Sequence, residues 1–136
     1  MEVSRMRDEA LRWVGEAEKD IETAELLYKN ARYNAACFYA HQAAEKAVKA
    51  LLYNVNEAPW GHSIRILLER YIEKASSSQA ISLLEYAREL DRHYIPSRYP
   101  NTHPSGTAFE AYDSKTAERA LECSREILKY AKAEIV

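Results

Sequence analysis

Ala35-Ala36-Cys37-Phe38-Tyr39-Ala40-His41-Gln42-Ala43-Ala44-Glu45-Lys46-Ala47-Val48-Lys49-Ala50-Leu51-Leu52 is the stretch on which the fold turns. Alanine forms helices best because it loses no side-chain freedom, and neither Gly nor Pro interrupts this run. Ala36, Ala40, Ala43, Ala44, Ala47 and Ala50 recur every three or four positions and share a face. The side chains between two helices set how closely their axes approach. The spacing therefore predicts a helix from Ala35 to about Asn54 at the centre of a bundle, with its neighbours drawn in close.

Upstream, Leu11, Val14, Ala17, Ile21, Ala24 and Tyr28 mark a helix from about Ser4 to Tyr28, with Glu16, Lys19, Glu22 and Glu25 opposite. Lys29–Tyr33 reads as a short break, after which Asn34 is a candidate cap. Downstream, Pro59-Trp60-Gly61 breaks the chain and Ser63 opens a third helix through Ala75. Ser76–Gln79 reads as a turn, with Ser76 and Gln79 at capping-box spacing. A fourth helix from Ala80 to Tyr94 must stop before Pro96. Ile95 to Tyr112, with Pro96, Pro100, Pro104 and Gly106, reads as one long irregular stretch, the kind that is functional or disordered. Ala117 through Ile135 predict a last helix starting near Asp113. The expected architecture is all-α: a single domain spanning 1–136, built as an antiparallel up-and-down bundle of about five helices around a four-helix core.

Composition supports that reading. The chain is 47% hydrophobic and 29% charged, and its 3 Gly and 4 Pro leave little punctuation for turns. A net charge of -2 argues against a protein held on nucleic acid by bulk electrostatics, while leaving room for a local basic patch. Cys37 and Cys123 fall among apolar neighbours and suit free, buried thiols rather than a disulfide framework. No apolar run approaches the roughly 18 residues of a membrane span. The expectation is a cytoplasmic protein without a cofactor.

Polar residues gather in two places. His41, Glu45 and Lys49 lie four apart and form one row beside the alanine seam. One reading is a surface salt bridge with His41 at the core's edge, and the other is a binding row. Metal ligation by His41 and Glu45 would need further ligands from His62 or His93, so no metal is expected. The second place is Asp91-Arg92-His93-Tyr94-Ile95-Pro96-Ser97-Arg98-Tyr99-Pro100. Arg offers a planar fork for phosphate or carboxylate and Tyr a stacking face, with Arg98 presented between two prolines. Together His41, Glu45, Lys49, Asp91, Arg92, Tyr94, Arg98 and Tyr99 form the candidate ligand-binding set. The two places matter jointly only where they line a common cleft.

Three blocks of this sequence resemble the HEPN family (higher eukaryotes and prokaryotes nucleotide-binding). They are Ala40 through Leu52, Gly61-His62-Ser63, and Leu90-Asp91 followed by Tyr94-Ile95-Pro96-Ser97-Arg98-Tyr99-Pro100. The resemblance implies a helical bundle, commonly a homodimer, in some members paired with a small nucleotidyltransferase as a toxin–antitoxin or related module. Other members are metal-independent ribonucleases using an Arg-x(4–6)-His motif assembled across the dimer. Two such spacings occur here, Arg88 to His93 and Arg98 to His103. On a continuous helix Arg88 and His93 would point to opposite sides. Arg98 and His103 are thus the candidate catalytic pair, His103 as acid or base and Arg98 as phosphorane stabiliser. Tyr99 directly after the Arg and Asn101 depart from the patterns of the relatives. The expected function is an accessory module binding a nucleotide, RNA or a nucleotidyltransferase partner. The alternatives are the ribonuclease and a purely structural interaction module.

Overall fold

The computed structural model describes residues 2–136, with side chains from residue 5 onward. Every regular element among them is helical: α1 (Glu2–Lys29), α2 (Tyr33–Asn54), α3 (Ile64–Ala75), α4 (Ser78–Ile81), α5 (Leu84–Asp91), α6 (Ala108–Ala111) and α7 (Ser114–Ile135), plus a 3-10 turn at Pro100–Thr102. One buried cluster draws on α1, α2, α3, α5 and α7. α2 packs against α1, α7 and α3, most extensively against α1. Ala36, Ala40, Ala43, Ala44, Ala47 and Ala50 of α2 are fully buried, as are Ala10, Ala17 and Ala24 of α1, spaced seven apart. Small side chains on both helices explain the close pairing. A buried bond from the Ser124 hydroxyl to the Ala40 carbonyl (2.7 Å) fastens α7 to the same helix.

Several boundaries differ from the sequence expectation. Leu11 lies off the α1 seam, which runs through Ala10 instead. Asn34 does not cap α2; its amide reaches across to the Ser97 carbonyl (3.0 Å). Ser76 is the left-handed C-cap of α3 (φ 54°), and Ser77 caps α4 by accepting from the Ala80 N–H (3.2 Å). The expected helix from Ala80 to Tyr94 is two helices. Ser82 donates to the Gln79 carbonyl (2.8 Å) and competes with the backbone ladder, which tightens to i→i−3 bonds there. α5 ends at Asp91, where Arg92, His93 and Tyr94 again bond three residues back, because Pro96 forbids continuing the helix. The stretch from Ile95 to Tyr112 is more regular than expected, holding the 3-10 turn and α6 with a complete Thr107–Glu110 capping box.

Candidate functional site

The row on α2 is buried: His41 is 0% exposed, Glu45 4% and Lys49 8%. The surface-salt-bridge reading of these residues fails, because α1, α3 and the turns after α5 close over them. Lys49 Nζ sits 3.0 Å from Glu45 Oε2 and 5.7 Å from the centre of the Trp13 ring. Glu45 Oε1 is buried without a hydrogen-bond partner among the described residues. His41 Nδ1 lies 4.0 Å from that oxygen and instead accepts from the Gln42 amide at 3.3 Å. Nε2 of His41 therefore carries the proton and donates to Asp91 Oδ1 (3.3 Å).

Asp91 ties three elements together. Besides His41 of α2, it accepts from the Ser63 hydroxyl (2.8 Å) and from the N–H groups of Ile64 (2.8 Å) and Arg65 (3.1 Å). A carboxylate at the first turn of α3 satisfies donors that have no partner within the helix and meets the positive end of its dipole. Burial alone would push the Asp91 carboxyl up, but the bonds from His41, Arg65, Ile64 and Ser63 together hold it below the usual carboxylate range. Asp91 thus serves as a structural clamp.

The Pro-braced stretch meets the row at its His41 end. Tyr94 lies 5.0 Å from the His41 ring and stacks on His62 at 5.3 Å with 16° between planes. His62, 62% exposed in its side chain, points Nδ1 at Glu45 Oε2 (3.4 Å). On Tyr94, 4.7 Å from its ring centre, lies the Arg98 guanidinium, which also covers Phe38 (4.4 Å) and Tyr99 (5.1 Å). Arg98 Nε and Nη2 both donate to the Tyr94 carbonyl (2.9 and 2.7 Å), leaving Nη1 without a partner among the described residues. No carboxylate among those residues pairs with this exposed cation. Ser97 is held beneath it by a hydroxyl bond to the His93 carbonyl.

The other expected site residues are placed differently. Arg92 lies at a separate cleft of about 350 Å³ lined by Glu89, Arg92, His93, Lys115, Thr116 and Arg119. His103 Nε2 donates to the Pro96 carbonyl (2.7 Å) and its ring meets Tyr112 edge-on. That bond closes the loop on itself. Arg88 is exposed, whereas His93 turns inward to the Tyr112 hydroxyl (2.9 Å). Burial above all, with the neighbouring Arg92 charge adding to it, lowers the His93 pKa to about 4. No set of three or more His, Cys, Asp or Glu among the described residues is arranged to hold a metal. Cys37 and Cys123 are both buried and free, with burial pushing each thiol up to about 12. A cleft of about 540 Å³ is lined by Glu9, Arg12, Trp13, Gly15, Glu16 and Lys46. Among the described residues no helix is long and apolar enough to cross a membrane.

The sequence reading missed His62 and Phe38 as site residues. His62 was visible as the residue before an N-cap, but its partner Glu45 stands 17 positions away.

The chain belongs to the HEPN domain family, whose pattern matches residues 10–135. TT1696 from Thermus thermophilus is 37% identical, covering 93% of this chain and 98% of its own, with a TM-score of 0.86. ST0689, described as an archaeal HEPN homologue, is 35% identical over 93% and 98% of the two chains, with a TM-score of 0.78. A Methanocaldococcus jannaschii protein named Putative toxin MJ1304 is 27% identical over 119 residues, 84% of this chain and 78% of the relative.

Proposed function

We propose that this protein binds single-stranded RNA, with the phosphate held by Arg98 and a base stacked beside it. The observation that carries this reading is the Arg98 guanidinium lying on Phe38, Tyr94 and Tyr99, with Nη1 unengaged and no carboxylate against it among the described residues. A guanidinium fixed by its own backbone costs little entropy to order on a phosphate, and an exposed Tyr99 (46%) offers a sequence-tolerant stacking face. The net charge of -2 makes the attraction local, so affinity should rest on few phosphate contacts.

Fluorescence anisotropy with a labelled single strand tests it. Arg98→Ala is expected to weaken binding about tenfold or more, the loss of a charge-assisted contact and its stacking neighbour. The slope of log K against log salt should become shallower by roughly 0.7, as for one released counterion. The same variant should melt within a few degrees of wild type, because an exposed Arg carries little core energy. Equal affinity for wild type and Arg98→Ala would refute the reading.

The protein acts as a homodimer in this proposal. Ile95 (42%) and Phe109 (50%) stand exposed on segments that meet the start of α2, where Arg32 covers Phe109 at 5.4 Å. Sedimentation equilibrium is expected to give twice the 15.6 kDa of one chain. A single-chain mass at micromolar concentration would contradict it.

A further inference from the structure

Trp60, in the turn between α2 and α3, is 71% exposed and yet held in place. The Arg70 guanidinium lies 4.9 Å from the centre of its ring. Through Nη2 and Nη1 the same guanidinium donates to the carbonyls of Ala58 (2.5 Å) and of Trp60 itself (3.4 Å). Pro59 restricts the backbone just before the ring, and Gly61 (φ 103°) turns it just after. One face of the indole therefore rests on a cation and the other is open to solvent. A loose apolar side chain on a surface is ordinary. An indole fixed by a cation is ordered before anything binds, so a ring that stacks on it loses little freedom.

Charge and position say what that ring belongs to. The Glu57 carboxylate stands 3.8 Å from Arg70 Nη2, so the cation beneath the indole is already answered and a phosphate gains little there. A flat, uncharged group fits the open face better. Trp60 and His62 stand two residues apart, a span of about 7 Å at most. The His62 ring stacks on Tyr94 at 5.3 Å, and the Arg98 guanidinium lies on that same ring at 4.7 Å. The Ser63 hydroxyl, bonded to Asp91 at 2.8 Å, anchors the turn that carries them. The open indole thus continues the Arg98 platform.

We infer that Trp60 is a second stacking site for the strand held at Arg98, taking a base a few nucleotides from the phosphate on that guanidinium. Stacking on an aromatic ring is sequence-tolerant, because every base has a π face. Arg70 is a positioning residue, touching the indole and not the strand.

This inference rests on the RNA-binding reading, and the experiment separates the two. The chain has two tryptophans, so a Trp13→Phe variant, with its folding checked by melting, leaves Trp60 as the reporter. Its emission is expected to be quenched by a single-stranded RNA, with the same midpoint as anisotropy gives. In the otherwise unchanged chain, Trp60→Ala should weaken binding about tenfold, as for one lost stack. The slope of log K against log salt should stay as in wild type, since no cation is removed. Trp60→Leu should lose as much as Trp60→Ala, whereas Trp60→Phe, which keeps a π face, should stay within about threefold of wild type. Binding with the emission unchanged, a Trp60→Ala variant of wild-type affinity, or Trp60→Leu as good as Trp60→Phe would each overturn the inference while the Arg98 reading stands. So would a Trp60→Ala variant that sediments as one chain where wild type sediments as two, which would place the indole between copies. Failure of wild type to bind the strand at all would overturn both.

Discussion

Lys49→Met is expected to destabilise the fold by about 3–5 kcal/mol, because it strands a buried carboxylate. The methionine replaces the stem that packs by Trp13 but removes the ammonium 3.0 Å from Glu45 Oε2. Glu45 Oε1 already has no hydrogen bond among the described residues, and Oε2 would keep His62 at 3.4 Å. A buried charge robbed of its partner costs far more than an exposed one, where the median worth of a pair is about 0–1 kcal/mol. The double variant Glu45→Gln with Lys49→Met should recover most of the loss, since neutralising both partners removes the stranded charge. Urea unfolding of wild type, the single variant and the double variant measures this. A single variant within about 1 kcal/mol of wild type would mean that water reaches the pair freely.

Asp91→Ala should cost about 3 kcal/mol, or on the order of 10 °C in Tm for a chain of this size. It removes the acceptor for the Ser63 hydroxyl, for two N–H groups at the start of α3, and for His41, which is fully buried. Losing a cap alone costs about 0.5–2 kcal/mol, and the stranded His41 donor adds to it. Asp91→Asn keeps an acceptor oxygen and should cost less. The pH dependence has a definite sign. The folded protein holds the Asp91 proton more weakly than the unfolded chain does, so on acidification the unfolded state takes up the proton first. The clamp's contribution is therefore complete above the ordinary carboxylate range and is lost as pH falls through and below it. The difference between wild type and Asp91→Asn should shrink correspondingly between neutral pH and strong acid, measured by unfolding at both. An unchanged difference would show that charge on Asp91 does not matter to the clamp.

These two residues also show what a sequence can disclose. The helices were legible because burial imposes a period: the alanines of α2, and Ala117, Ala120, Leu121, Ile127, Leu128 and Ala131 of α7, are where the pattern put them. Ser63 was legible as a cap because its chemistry is local, its hydroxyl accepting from the Ile66 N–H (3.2 Å). The split of the fourth helix was hidden, since Ser82 breaks the ladder by a choice of hydrogen bond that composition does not reveal. The depth of the His41–Glu45–Lys49 row was hidden too. An i,i+4 pair has the same spacing whether water or protein covers it, and the cover comes from Trp13, His62 and Tyr94, each far away along the chain. Arg98 was legible as a presented side chain through its prolines, but the aromatic rings beneath it include Phe38, which arrives from α2. Arg92 shows the reverse: close to Arg98 in sequence, it faces a different cleft.

The proposed activity stands or falls on where a strand lies on the surface. A single-stranded RNA bearing 4-thiouridine, photocrosslinked to the protein and mapped by mass spectrometry, measures that most directly. Adducts are expected on Phe38, Tyr94 or Tyr99, and they should be lost in Arg98→Ala. Adducts confined to the Trp13 cleft or to α7, unaffected by that substitution, would contradict a strand held at Arg98.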